Sequence, residues 1–236
     1  MKHLLEVCLI VALAASVTPS LAAQSNPAIP VLRKGISVQM PVARTAVSMP
    51  DADQEDALVV TITDDGNVFV RLDPTDPDAV AGGITEAMSN RAEKKVYIKA
   101  DAGVPYAQVV RVLAAVRSAG VQQPDLLTAS INSLPSAVPV APEGLEVVVL
   151  SPQASSRLEG IVVQLAIPEE SLPVFKINGE IVSQANLQSR IAQLLQKSGE
   201  KIVQIEAKGR LTYADVVNLA DVCGSTGARV ALIIAP

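Results

Sequence analysis

Apolar and polar positions alternate over Lys95–Ala100, placing Val96, Ile98 and Ala100 on one side, the pattern of a half-buried strand. Pro105 follows, a residue suited to a first helical turn, where its missing N–H costs nothing. Val109, Val112, Leu113 and Val116 then recur at helical spacing and form one apolar stripe. Gly120 supplies the stop, and Asp125–Thr128 is short and apolar enough to return as a strand. Upstream, Leu58–Thr63 and Asn67–Arg71 alternate on either side of Asp64-Asp65-Gly66, which predicts a β-hairpin. A helical stripe lies between them and the opening strand, within Asp76–Arg91. The predicted order is β-β-α-β-α-β, with a right-handed crossover that puts both helices on one sheet face. The opposite face is then left partly open to solvent or to a partner.

The same pattern recurs. A shift of 213 − 106 = 107 residues carries Tyr106 to Tyr213, Val96 to Val203, Ile98 to Ile205, Val109 to Val216 and Gly120 to Gly227. It also carries the stripe Val80, Ile84, Ala87 and Met88 to Leu187, Ile191, Leu194 and Leu195. Val59, Val60 and Ile62 match Val162, Val163 and Leu165 at a shift of 103, so the second copy holds about 107 − 103 = 4 more residues in its first turn. Two copies are too few for a solenoid and read as two small duplicated domains. In the second, strands are expected near 146–150, 161–167, 174–177, 201–207 and 229–234, and helices near 184–197 and 212–224. Thr212 with Asp215 has the spacing of a capping box.

The chain thus divides into residues 1–23, an extended proline-punctuated segment over 24–56, a first domain over 57–130, a proline-rich linker over 131–144 and a second domain over 145–236. Ile36, Val38 and Met40 alternate and suggest a short edge strand before the first domain. Residues 1–23 carry Lys2 ahead of an apolar run and end in small residues. That fits a secretory signal peptide, and the run is also about long enough for a single transmembrane helix. Glu6 interrupts it. A carboxylate there either reaches the membrane interface or, deeper in lipid, marks an ion or proton path.

Composition narrows the function. Among 236 residues there are no Trp, three Tyr and two Phe, so the cores must be built from Val, Ile, Leu and Ala. A net charge of −5 gives no general attraction to nucleic acid. Cys8 lies in the N-terminal run and Cys223 on the inner stripe of its helix, which is packing rather than a disulfide framework. One His cannot build a metal site or a triad, and no phosphate-binding fingerprint appears. The chain is read as a non-enzyme without a cofactor.

The stretches VVTITDDGNVFV (59–70), KVYIKADAGVPYAQVVRVLAAVRSAGV (95–121) and DLLT (125–128) resemble the periplasmic domain of the ExbD/TolR family. The carrying phrase is Asp101-x-x-Val104-Pro105-Tyr106 before a Val-rich helix; Tyr213 repeats the tyrosine, while Lys208 and Thr212 replace Asp101 and Pro105. Residues 36–43 are similar to the family's segment just after the membrane, and residues 4–21 to its membrane helix. The resemblance implies an α+β protein: an N-terminal single transmembrane helix (or signal peptide), then two two-layer β-β-α-β-α-β domains of ExbD/TolR periplasmic type. It implies an inner-membrane, single-pass subunit with its bulk in the periplasm, driven by the proton motive force. Implied partners are a polytopic ExbB/TolQ-like channel subunit and a TonB/TolA-like transducer or peptidoglycan. Laid on the family's helix, Glu6 falls on an intramembrane aspartate and becomes the candidate proton carrier. Asp101, Val104, Pro105, Tyr106 and Tyr213 are expected to be structural: Asp101 holding the loop, Pro105 setting the turn, Tyr106 packing beside it. An open sheet face and edge strand favour a homodimer. The alternative is an exported soluble envelope protein of the same fold that binds protein or peptidoglycan without ion coupling.

Overall fold

A computed structural model describes residues 35–89, 95–129, 141–168 and 172–234. The chain divides into two units, residues 1–33 and 34–236. The first, with the predicted membrane helix, Glu6 and Cys8, lies outside the described residues, as do residues 131–140 of the predicted linker. Among the described residues no helix is long and apolar enough to cross a membrane.

The elements run β1 (Val47–Ser48), a 3-10 turn (Pro50–Asp53), β2 (Val59–Ile62), β3 (Val68–Val70), β4 (Asp73–Pro74), α1 (Val80–Met88), β5 (Tyr97–Ala100), α2 (Tyr106–Ser118) and β6 (Asp125–Thr128). They continue with β7 (Glu143–Leu150), α3 (Pro152–Ser155), β8 (Ile161–Ile167), β9 (Val174–Ile177), β10 (Glu180–Val182), α4 (Gln184–Leu195), β11 (Ile202–Gly209), α5 (Tyr213–Gly224) and β12 (Arg229–Ile233). The class is mixed α+β, and the predicted alternation of strands and helices is found in both halves. Three short elements, β4, β10 and α3, carry too few apolar positions to announce themselves by periodicity.

All the strands join one sheet in the order β10-β9-β8-β11-β12-β7-β6-β5-β2-β3-β4, with β1 paired to β7 beside this path. The join between the halves is the antiparallel pair β6–β7, where Leu126 faces Leu145 and Thr128 faces Glu143. On its far side β7 runs parallel to β12, with Val147 opposite Val230. One strand therefore completes the sheet of both halves. Gly144 makes the close approach possible, since a Cβ there would meet the Leu126 carbonyl oxygen at 2.6 Å and the Met49 sulfur at 2.7 Å.

The helical stripes lie on one sheet face. Val109, Val112, Leu113 and Val116 of α2 and Val216, Leu219 and Cys223 of α5 are buried in one core with Ile98, Ala100, Val203 and Ile205. Burial pushes the Cys223 thiol up to about 12, the behaviour of a packing residue.

Two expectations need correction. Ile36, Val38 and Met40 form no strand: the Ile36 carbonyl accepts from the Lys99 side chain, and the Gln39 backbone bonds to Asp101 and Ala102 of a loop rather than to a sheet edge. The second face of the first half is also not open. Met40 and Met49 pack there against Tyr97 and Leu127. Tyr97 is consequently only 3% exposed although the alternation placed it on the solvent side. The segment 35–57 is a strap: Ala43 belongs to the main core while Met49 belongs to the cluster on the opposite face.

A candidate interaction site where the two halves meet

The loop Asp101–Tyr106 links β5 to α2, and the loop Lys208–Tyr213 links β11 to α5. A helix start leaves backbone N–H groups without intrahelical acceptors, and Pro105, the residue before α2, offers no side-chain cap. The two loops solve this for each other. The Tyr106 N–H donates to the Leu211 carbonyl at 2.8 Å, and the Tyr213 N–H donates to the Val104 carbonyl at 2.8 Å. Ala214 N–H adds a bond to the Ala102 carbonyl at 3.0 Å. Pro105 and Thr212 thus face each other as an antiparallel bridge. Thr212 also caps its own helix, accepting from Asp215 N–H at 3.3 Å while the Asp215 carboxylate accepts from Thr212 N–H at 2.8 Å, as the spacing predicted.

Both tyrosines sit inside this seam, Tyr106 at 4% and Tyr213 at 1% exposure. Burial raises both phenols well above their ordinary value, so they are neutral packing groups. Val104 is buried and Pro105 exposed. The motif residues taken from the resemblance are therefore gathered at one place. Glu6 lies outside the described residues.

Asp101 has a second role. Its carboxylate accepts from Gly103 N–H at 3.0 Å, holding the loop, and from Gln39 N–H at 2.8 Å, holding the strap. The strap's other fastenings escaped sequence reasoning. Lys99 Nζ donates to the Ile36 carbonyl at 2.8 Å, and burial lowers the pKa of that amine. Asp221, on α5 of the second half, accepts on one oxygen from Arg44 N–H at 2.9 Å, Thr45 N–H at 2.7 Å and the Thr45 hydroxyl at 2.6 Å. Nothing in the local sequence of α5 marks Asp221, because its partners are more than 170 residues away.

An ion pair between a buried carboxylate and a half-exposed amine lies on the strapped face. Lys95 Nζ is 3.0 Å from the Asp125 carboxylate and 5.3 Å from the centre of the Tyr97 ring. Burial raises the Asp125 pKa despite this partner, while Asp125 in turn raises that of Lys95. A shallow cleft of about 470 Å³ adjoins the pair, lined also by Thr45, Gly224 and Arg229. Among the described residues no group of three or more His, Cys, Asp or Glu is placed to hold a metal.

The comparisons agree with the motif. The sequence profile of the family described as "Biopolymer transport protein ExbD/TolR" matches residues 9–130, which takes in β2 to β6, the strap and the Asp101–Tyr106 loop. The match starts after Glu6 and ends before the second half. The Biopolymer transport protein ExbD of Pseudomonas aeruginosa is 32% identical over 100 residues, 42% of this chain and 73% of that protein. With a match that spans half of its length and a relative covered over most of its own, this chain belongs to the ExbD/TolR family.

Proposed function

We propose that the chain is a single-pass inner-membrane subunit of an ExbD/TolR-type complex that uses the proton motive force to energise biopolymer or outer-membrane transport, or envelope integrity. The observation that carries this is the family match over residues 9–130, with 32% identity to a biopolymer transport protein. Residues 1–23 act as the membrane anchor, and the folded part stands in the periplasm. Glu6 takes up and releases a proton, since a charged carboxylate in lipid costs about 2.5 kcal/mol or more and is kept where it serves ion movement. A polytopic ExbB/TolQ-like subunit surrounds that helix, and a TonB/TolA-like transducer or peptidoglycan engages the periplasmic part. The chain itself catalyses no covalent chemistry.

The test replaces Glu6 with Gln in the full chain and follows transport in cells together with the amount of protein in the inner membrane. The expected result is unchanged membrane level and lost transport. Wild-type transport by Glu6→Gln, or a mature protein that begins near Gln24, overturns ion coupling and leaves the exported, soluble envelope protein as the reading.

A further inference from the structure

We infer that residues 57–130 and 145–236 are two copies of one module closed on each other about a local two-fold axis. The chain is then its own partner at the surface where a second copy would dock.

The copies repeat residue pair by residue pair through the hairpins and the first parallel ladder, while the last strand is offset by one, Tyr97 facing Asp125 where Gln204 faces Ala231. In the first, Val60 faces Ile98 across parallel strands; in the second, Val163 faces Ile205, shifts of 163 − 60 = 103 and 205 − 98 = 107. In the hairpins, Ile62 faces Val68 and Leu165 faces Phe175, with residues 63–67 and 166–174 between them, so the second copy holds 9 − 5 = 4 more. The same shift of 107 relates Arg71 and Asn178, the two residues other than glycine with positive φ (60° and 50°) among those described. Their N–H groups donate to the equivalent carbonyls of Val59 and Val162. Such a backbone angle is uncommon outside glycine, so its recurrence at matched positions is a sensitive mark of one fold used twice.

The seam supplies the two-fold. Exchanging each residue with its counterpart at a shift of 107 turns the Tyr106-to-Leu211 bond into the Tyr213-to-Val104 bond. It turns the Pro105–Thr212 bridge into itself. That reciprocity, residue i to j and j to i, is the signature of an isologous contact. Here both sides belong to one chain. The copies are not interchangeable, because β7 serves both and the strap covers the second face of the first while it is only tied to α5 of the second. Lys208 stands where the first copy has Asp101 and pairs instead with Glu206 at 2.6 Å.

The test does not depend on ion coupling. Cysteines are placed at Pro105 and Thr212 of the full chain, in a Cys8→Ser background. The two positions form a non-hydrogen-bonded antiparallel pair, whose Cα atoms lie about 4.5 Å apart, within the range a disulfide spans. Mild oxidation is expected to give a reducible bond within single chains. A product of doubled mass, or no bond in a variant whose circular dichroism is native, overturns the inference. So does a cross-link between two differently tagged chains carrying one cysteine each. If the double variant does not fold, hydrogen exchange on the unmodified chain decides. The Tyr106 and Tyr213 amides, which a lone helix start leaves free, should exchange at least about 100-fold slower than in an open chain. Rapid exchange at either amide overturns the closed pair.

Discussion

Asp221 gathers three donors of the strap on one carboxylate oxygen, a concentration of charge-assisted bonds that makes it the strongest single fastening of residues 35–57 to the second half. Bonds to a charged acceptor are worth about 1.5–3 kcal/mol apiece, but they share an oxygen and lie partly in solvent. Asp221→Ala should therefore cost about 2 kcal/mol, read as a lower urea midpoint, with Asp221→Asn losing less because an amide oxygen still accepts. An unchanged midpoint for Asp221→Ala would show the strap to be held elsewhere. Asp101 illustrates what the sequence does and does not reveal at this scale. Its role in the loop follows from its place before a proline-led helix. Its bond to Gln39 requires knowing that the strap returns over 62 residues of chain.

Among the elements, periodicity succeeded wherever a helix packs by one stripe. The buried positions of α2 are Tyr106, Val109, Val112, Leu113 and Val116, and the last four are those the spacing selected. It failed at Tyr97, because alternation reports one covered face and the strap covers the second. It found β7 but stopped short, since the strand's start at Glu143 lies three residues ahead of the predicted one. That extension pairs with β6 and is what makes the sheet continuous, and only tertiary contact specifies it. Gly144 sits in this extension. In Gly144→Val the new side chain meets a fixed backbone oxygen and the Met49 sulfur, so the expected loss is about 3 kcal/mol, measured by thermal or urea unfolding. A variant as stable as wild type would mean that the sheet does not run through this strand. The seam was half legible: the tyrosines stand out by their repeat, while the exchange of backbone bonds between Leu211, Val104 and their partners uses atoms common to every residue.

For the whole molecule, β7 has the farthest-reaching effect. Paired with β6 on one side and β12 on the other, it belongs to neither half alone. Covalent continuity between residues 130 and 141 is then not what keeps the two ends of the sheet together. A protease site inserted within 131–140 and cut in the folded protein should yield two fragments that still co-elute from a sizing column and separate only in denaturant. Fragments that part in native buffer would contradict the shared strand. Cleavage within 131–140, in the cell or on the bench, should thus leave a nicked particle with its architecture intact, invisible to an assay that reads native size and obvious only to one that reads covalent length.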